Sequence, residues 1–174
     1  IEAGTGRYAS TAEQGGKFVR AVTTGPNLLS VPFEQADWRV ETVFGTIPWI
    51  RARTYEGGAW QTNNPSGSAS LRTLDRTTGI WIELGANATW TVAGLVPRST
   101  TIPLAAGWNL VGYPSMFRQF ASSLTVNLRN GAVEGFATLP PYYLTRLPPA
   151  GTVEAGNGYW VYTADAGHTL TFNN

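Results

Sequence analysis

The chain has 174 residues, 43% of them hydrophobic, with seven each of Phe, Trp and Tyr, enough to pack one domain or two small ones and too apolar for disorder. Charged residues are 13%, about half the ordinary share, the net charge is +1, and Lys17 is the only lysine. The arginines are scattered singly, which excludes the basic stripe of a nucleic-acid binder; no cysteine is present for disulfides, thiolate metal sites or a thiol nucleophile.

Residues 1–16, IEAGTGRYASTAEQGG, lack periodicity and read as an N-terminal arm. A short strand-like run, KFVRAV (17–22), precedes GPNLLSVP (25–32). In that motif Gly25 permits a positive φ and a sharp entry into a strand. The Asn27 amide can satisfy turn backbone groups, and Pro32, lacking an N–H, ends the ladder. Val40, Val43 and Phe44 then stand at i, i+3 and i+4 behind Asp37, which predicts a short helix with Asp37 as its N-cap. WIRARTY (49–55) alternates with period 2 and is followed by Gly57-Gly58 and AWQT, a hairpin signal. IWIEL and TWTVA flank Gly85-Ala-Asn87 and predict a second hairpin.

GLVPRSTTIPL (94–104) leads into GWNLVGYP (107–114), where Gly107, Asn109 and Pro114 stand where Gly25, Asn27 and Pro32 stood, and Trp108 replaces Pro26. Phe117, Phe120 and Leu124 behind Ser115 predict another short helix. VEGFAT, Pro140-Pro141 and YYLTR follow as a strand pair, and YWVYT and TLTF around Asp165–Gly167 as a hairpin. The opening motifs lie 82 positions apart (25 and 107). Gly79-Ile-Trp81-Ile matches Gly158-Tyr159-Trp160-Val at an offset of 79, and Thr89–Val92 matches Thr169–Phe172 at 80. Anchors in the same order at nearly constant offset indicate an internal duplication. The expected architecture is all-β with one short helix per repeat: two tandem β-sandwich or barrel-like units, 17–96 and 97–174. The small residues Ser30 and Gly112 are expected to leave room for Trp81 and Trp160.

With GWNLVGYP and GNGYWVY the second unit resembles the tandem β-rich modules of bacterial secreted and cell-surface, adhesin-like proteins, whose motifs run G-[WFY]-N-L-[IVL]-[SG]-x-P and G-x-G-[YFI]-W-[IV]. The first unit departs from the pattern at Pro26 and in TTGIW. The resemblance spans roughly residues 17–174 and implies an extracellular β-module with no defined catalytic activity.

Residue chemistry points the same way. His168 is the only histidine, and no G-x-S-x-G elbow occurs, so acid–base relays and serine hydrolysis lack their parts. No cofactor or metal motif stands out; Glu34, Asp37 and Glu41 read as helix-start carboxylates rather than a glycosidase pair or a Ca²⁺ loop. Asn87-Ala-Thr89 is a glycosylation-type sequon. Trp60, beside Gln61, Asn63 and Asn64, and the pair Tyr142-Tyr143 are the candidates for a sugar-stacking platform, with a polysaccharide as partner. No apolar run reaches the ~18 residues of a membrane span. The scarcity of lysine leaves sheet edges poorly defended. The arm, together with a chain stopping at TLTFNN, suggests strand addition between copies. The expected function is therefore an extracellular structural protein that self-assembles head-to-tail into a filament, fibre or surface layer, with an adhesin-like or carbohydrate-binding module as the alternative.

Overall fold

The computed structural model describes residues 14–67 and 69–174, so the arm expected at 1–16 lies outside the described residues up to position 13. The described chain is mostly antiparallel β-structure. Its first half runs β1 (Gly15–Val22), β2 (Gly25–Leu29), α1 (Val40–Phe44), β3 (Trp49–Glu56), β4 (Ala59–Asn63), β5 (Ile80–Leu84) and β6 (Ala88–Leu95). The second runs β7 (Ser99–Leu104), β8 (Gly107–Val111), β9 (Gln119–Phe120), α2 (Ala121–Thr125), β10 (Ala132–Ala137), β11 (Tyr143–Arg146), β12 (Thr152–Val153), β13 (Tyr159–Thr163) and β14 (His168–Asn173).

Two four-stranded sheets dominate, in the orders β2-β5-β3-β4 and β8-β13-β10-β11. Each half adds a two-stranded ribbon, β1-β6 in the first and β7-β14 in the second. Gly57 and Gly58, at φ 59° and 80°, make the two-residue turn between β3 and β4, where Glu56 faces Ala59.

The turns at 85–87 and 165–167 do not close hairpins. β5 pairs with β2 and β3 while β6 pairs with β1, and β13 and β14 part in the same way. Side-chain alternation explains the outcome. Ile80, Ile82 and Leu84 bury one face of β5, Trp90 and Val92 bury one face of β6, and all five belong to one core. The two strands meet face to face across that core instead of edge to edge. The second half repeats the arrangement, with Tyr159 and Val161 facing Leu170 and Phe172.

The core of the first half, from Val22 to Val92, centres on Trp90, whose indole N–H donates to the Val43 carbonyl and whose ring stacks on Phe44. That of the second half, from Ile102 to Phe172, centres on Tyr113, edge-on to Phe172 and Tyr159.

The helices differ from expectation in their starts. Arg39, not Asp37, precedes α1 as its cap, with no side-chain capping bond. Asp37 instead accepts the Arg39 N–H in an Asx turn and binds the Arg39 guanidinium and the Thr42 hydroxyl. In the second half Ser115 accepts the Phe117 N–H, and Phe117 and Phe120 are exposed ahead of α2, with only Leu124 of the expected trio in the core. Among the described residues, β1 pairs with β6 from Gly15 opposite Leu95, and β14 runs along β7 from His168 to Asn173.

Candidate binding face

The repeated motifs build the junction between the halves. Gly25 and Gly107 take φ of 88° and 94° and turn the chain into β2 and β8. The Asn27 amide donates to the carbonyls of Thr23 and Gly25 and accepts the Thr23 N–H; Asn109 does the same with Ala105 and Gly107. The strands then run through Leu28-Leu29 and Leu110-Val111, all four side chains buried. They end at Leu29 and Val111, and the buried Pro32 and Pro114 follow outside the ladders.

Beyond their ends each half bonds the other. Leu29 bridges to Asn157 and Val111 to Thr78. Ser30 N–H donates to the Gly156 carbonyl at 3.0 Å, and Gly112 N–H to that of Thr77 at 2.7 Å. These pairs exchange matched positions: Leu29 and Val111 differ by 82, Thr78 and Asn157 by 79. The space beside Ser30 and Gly112 is therefore taken by the backbone of the opposite half, not by Trp81 and Trp160. A Cβ on Gly112 would lie 2.7 Å from the Arg76 carbonyl oxygen. The Ser30 hydroxyl donates to the Asn157 carbonyl and accepts the Tyr113 N–H. Gly79 and Gly158 are held to the same rule, since a Cβ there would meet the Val111 or Leu29 carbonyl oxygen at 2.6 or 2.7 Å. Arg20 reinforces one side, donating to the Gly156 carbonyl and the Asn157 amide oxygen, and burial lowers its pKa.

The two tryptophans lie on the sheet faces turned away from the cores. Directly opposite residues share a face, and the register sets Leu28, Trp81 and Arg53 side by side, as it does Leu110, Trp160 and Glu134. Each indole crosses to the other half. Trp81 meets Phe136 at 4.6 Å between ring centroids, while Trp160 meets Tyr55 at 5.6 Å and Trp60 at 6.0 Å. Aromatic pairs of this kind contribute about 0.5–1.5 kcal/mol each beyond the area they bury. The Trp160 indole N–H is buried and finds no acceptor among the described residues. Tyr159, in the core, donates no part of this face; its hydroxyl accepts the Glu154 N–H, and burial raises its pKa.

Between the sheets an open trough of about 530 Å³ is lined by Tyr55, Trp60, Trp108, Trp160, Leu144 and Glu134, with the chain at Ala106-Gly107 as one wall. Trp60 is 52% exposed and also borders a smaller hollow beside Trp81 and Arg53. Of the polar neighbours expected around Trp60, Asn63 is turned inward and donates to Glu41, and Gln61 donates to Glu56. Tyr142 is committed to the fold: it stacks on Phe136, and its hydroxyl donates to the Thr24 carbonyl. Tyr143 stands exposed on β11. Trp108 and Leu144 complete the trough, and only the strand register, which no single motif displays, brings them to it.

The carboxylates are dispersed among separate partners. Glu34 is paired with Arg76 and the Trp38 indole, Glu41 with Asn63, and Asp37 with Arg39, whose hydrogen bonds hold Asp37 well below the usual carboxylate range. His168 lies in β14 opposite Leu104, and the Asn87 side chain is exposed and accepts the Thr24 N–H. Among the described residues no three His, Cys, Asp or Glu side chains gather to hold a metal, and no helix is long and apolar enough to cross a membrane. Compared with protein-family models, curated proteins and solved structures, the chain matches none.

Proposed function

We propose that the chain is a non-enzymatic module of the bacterial cell exterior, made of two tandem copies of one β-unit, that assembles with copies of itself. The matched sheet orders and the exchanged junction support the duplication. The observation that carries assembly is the outer border of the second sheet. β11 is the edge strand, all four of its residues are exposed, and it carries Tyr143 and Leu144 without a lysine to guard it. β4 is the matching border of the first sheet, also without lysine. The inner borders, β2 and β8, are engaged with the opposite half. Large apolar side chains at Met116, Phe117, Phe120 and Val126 are exposed as well, and surfaces of that kind mark contacts between proteins.

A contact joining one outer border to the different outer border of the next molecule is heterologous, and it builds a filament or layer when it does not close. The arm expected from the sequence, residues 1–13 of which lie outside the described residues, is the proposed donor of an added strand. Tyr143→Lys with Thr145→Lys puts two charges on the β11 border, on the face away from the trough. The parent chain should sediment as concentration-dependent assemblies visible by electron microscopy, and the double variant and a chain lacking residues 1–13 should sediment as monomers with unchanged circular dichroism. A parent chain that stays monomeric at high concentration refutes self-assembly.

A further inference from the structure

The two halves differ at one matched place on the inter-sheet face: it is filled in one half and open in the other. Arg53 faces Trp81 and Glu134 faces Trp160, so by register Tyr55 of the first half corresponds to Phe136 of the second. Gly25 and Thr24 correspond to Gly107 and Ala106. Beside Phe136 and Gly25 the place is filled from within. Tyr142 lies nearly parallel to Phe136, at 14° between planes, with its hydroxyl donating to the Thr24 carbonyl. A Cβ on Gly25 would stand 3.3 Å from that hydroxyl.

Tyr142 comes from the long connection between β10 and β11. The connection between β3 and β4 is only Gly57-Gly58, so nothing equivalent reaches the place beside Tyr55 and Gly107. There a Cβ on Gly107 would meet no atom within 4 Å, and the trough opens.

We propose that this trough is a carbohydrate-binding site, in which a neutral sugar ring lies against Tyr55, Trp60 and Trp108 where Tyr142 lies in the matched place. The internal occupant specifies the ligand's form: a ring that stacks, with a hydroxyl directed at the backbone by the glycine. The lining specifies its polarity. Glu134 is the one charged side chain in the wall, and it and the backbone carbonyls accept hydrogen bonds. No lysine or arginine is among the lining residues, and Arg146, opposite Glu134, is ion-paired with it at 4.0 Å, so the wall offers no unbalanced charge to an ionic ligand. A ligand with many hydroxyl donors and no charge suits this wall, and the volume exceeds that of one ring, which suits an oligosaccharide. The site lies within one molecule and does not depend on self-assembly.

Binding is read by tryptophan fluorescence and calorimetry with cellohexaose, mannohexaose and chitohexaose as probes, on the β11 double-lysine variant if the parent chain assembles. At least one probe should bind with a stoichiometry of one, and Trp60→Ala and Trp108→Ala should each weaken it by about tenfold or more. Tyr142→Ala empties the matched place, but Pro26 and Leu144 stand there for Trp108 and Trp60, so the stoichiometry should stay at one. Unchanged circular dichroism of each variant separates lost contacts from misfolding. The proposal is overturned if none of the three sugars binds below ~5 mM, if binding survives both tryptophan variants unchanged, or if p-cresol binds and the sugars do not.

Discussion

At the scale of single residues, the repeated letters are explained by what touches them. Gly158 has ordinary dihedrals, so its requirement is space: the Leu29 carbonyl oxygen and the Leu28 side chain leave no room for a methyl group. Backbone atoms cannot step aside as a flexible side chain can. Gly158→Ala should therefore lower unfolding free energy by about 2–3 kcal/mol in urea titration. Gly107→Ala faces open space and only the penalty of a positive φ, about 1–2 kcal/mol. The strand-entry glycines and the Asn27 and Asn109 clasps were legible in the sequence because their chemistry is local. The demand on Gly79, Gly158, Ser30 and Gly112 was not, because the atoms that impose it belong to the other half of the chain.

At the scale of elements, alternation identified the strands but not their partners. IWIEL and TWTVA read as a hairpin because a short turn between two alternating runs usually makes one. The buried faces of β5 and β6 decided otherwise, since Ile82 and Trp90 both need the same core. The signal available was the fully apolar alternate face of β5 together with a tryptophan in β6, a ring too large to bury on a free ribbon. Trp90 also fastens β6 to α1 through its bond to the Val43 carbonyl. Trp90→Phe keeps most of the packing but leaves that carbonyl unpartnered and a gap beside Phe44. A loss of about 2–3 kcal/mol is expected in thermal or urea unfolding, with the far-ultraviolet spectrum retained. The trough escaped sequence reading for a related reason: Tyr55, Trp60, Trp108 and Trp160 come from β3, β4, β8 and β13, and only the register joins them.

At the scale of the whole molecule, stability is concentrated in two cores and the contacts between them, since the ion pairs are formed by largely exposed side chains and contribute little. Burial pushes the Tyr113 hydroxyl up to about 12 and raises that of Tyr159. An unfolded tyrosine titrates near 10. The folded state thus holds these protons more tightly than the unfolded chain. Stability should be complete below about pH 10 and fall as pH rises through about 12, with Tyr113 contributing about 2–3 kcal/mol of the loss. Urea midpoints measured from pH 8 to 12 test this, and Tyr113→Phe should flatten the decline. The reciprocal bonds at Leu29, Ser30, Val111 and Gly112 bear on how the two halves hold together. Each half supplies both a socket and a plug to the other, so the tie at 96–98 only adds proximity to a handshake the two halves make through their own backbones. Cutting the chain there should leave two pieces that stay clasped, one with its hairpin tip tucked under a tyrosine and the other with its doorway open.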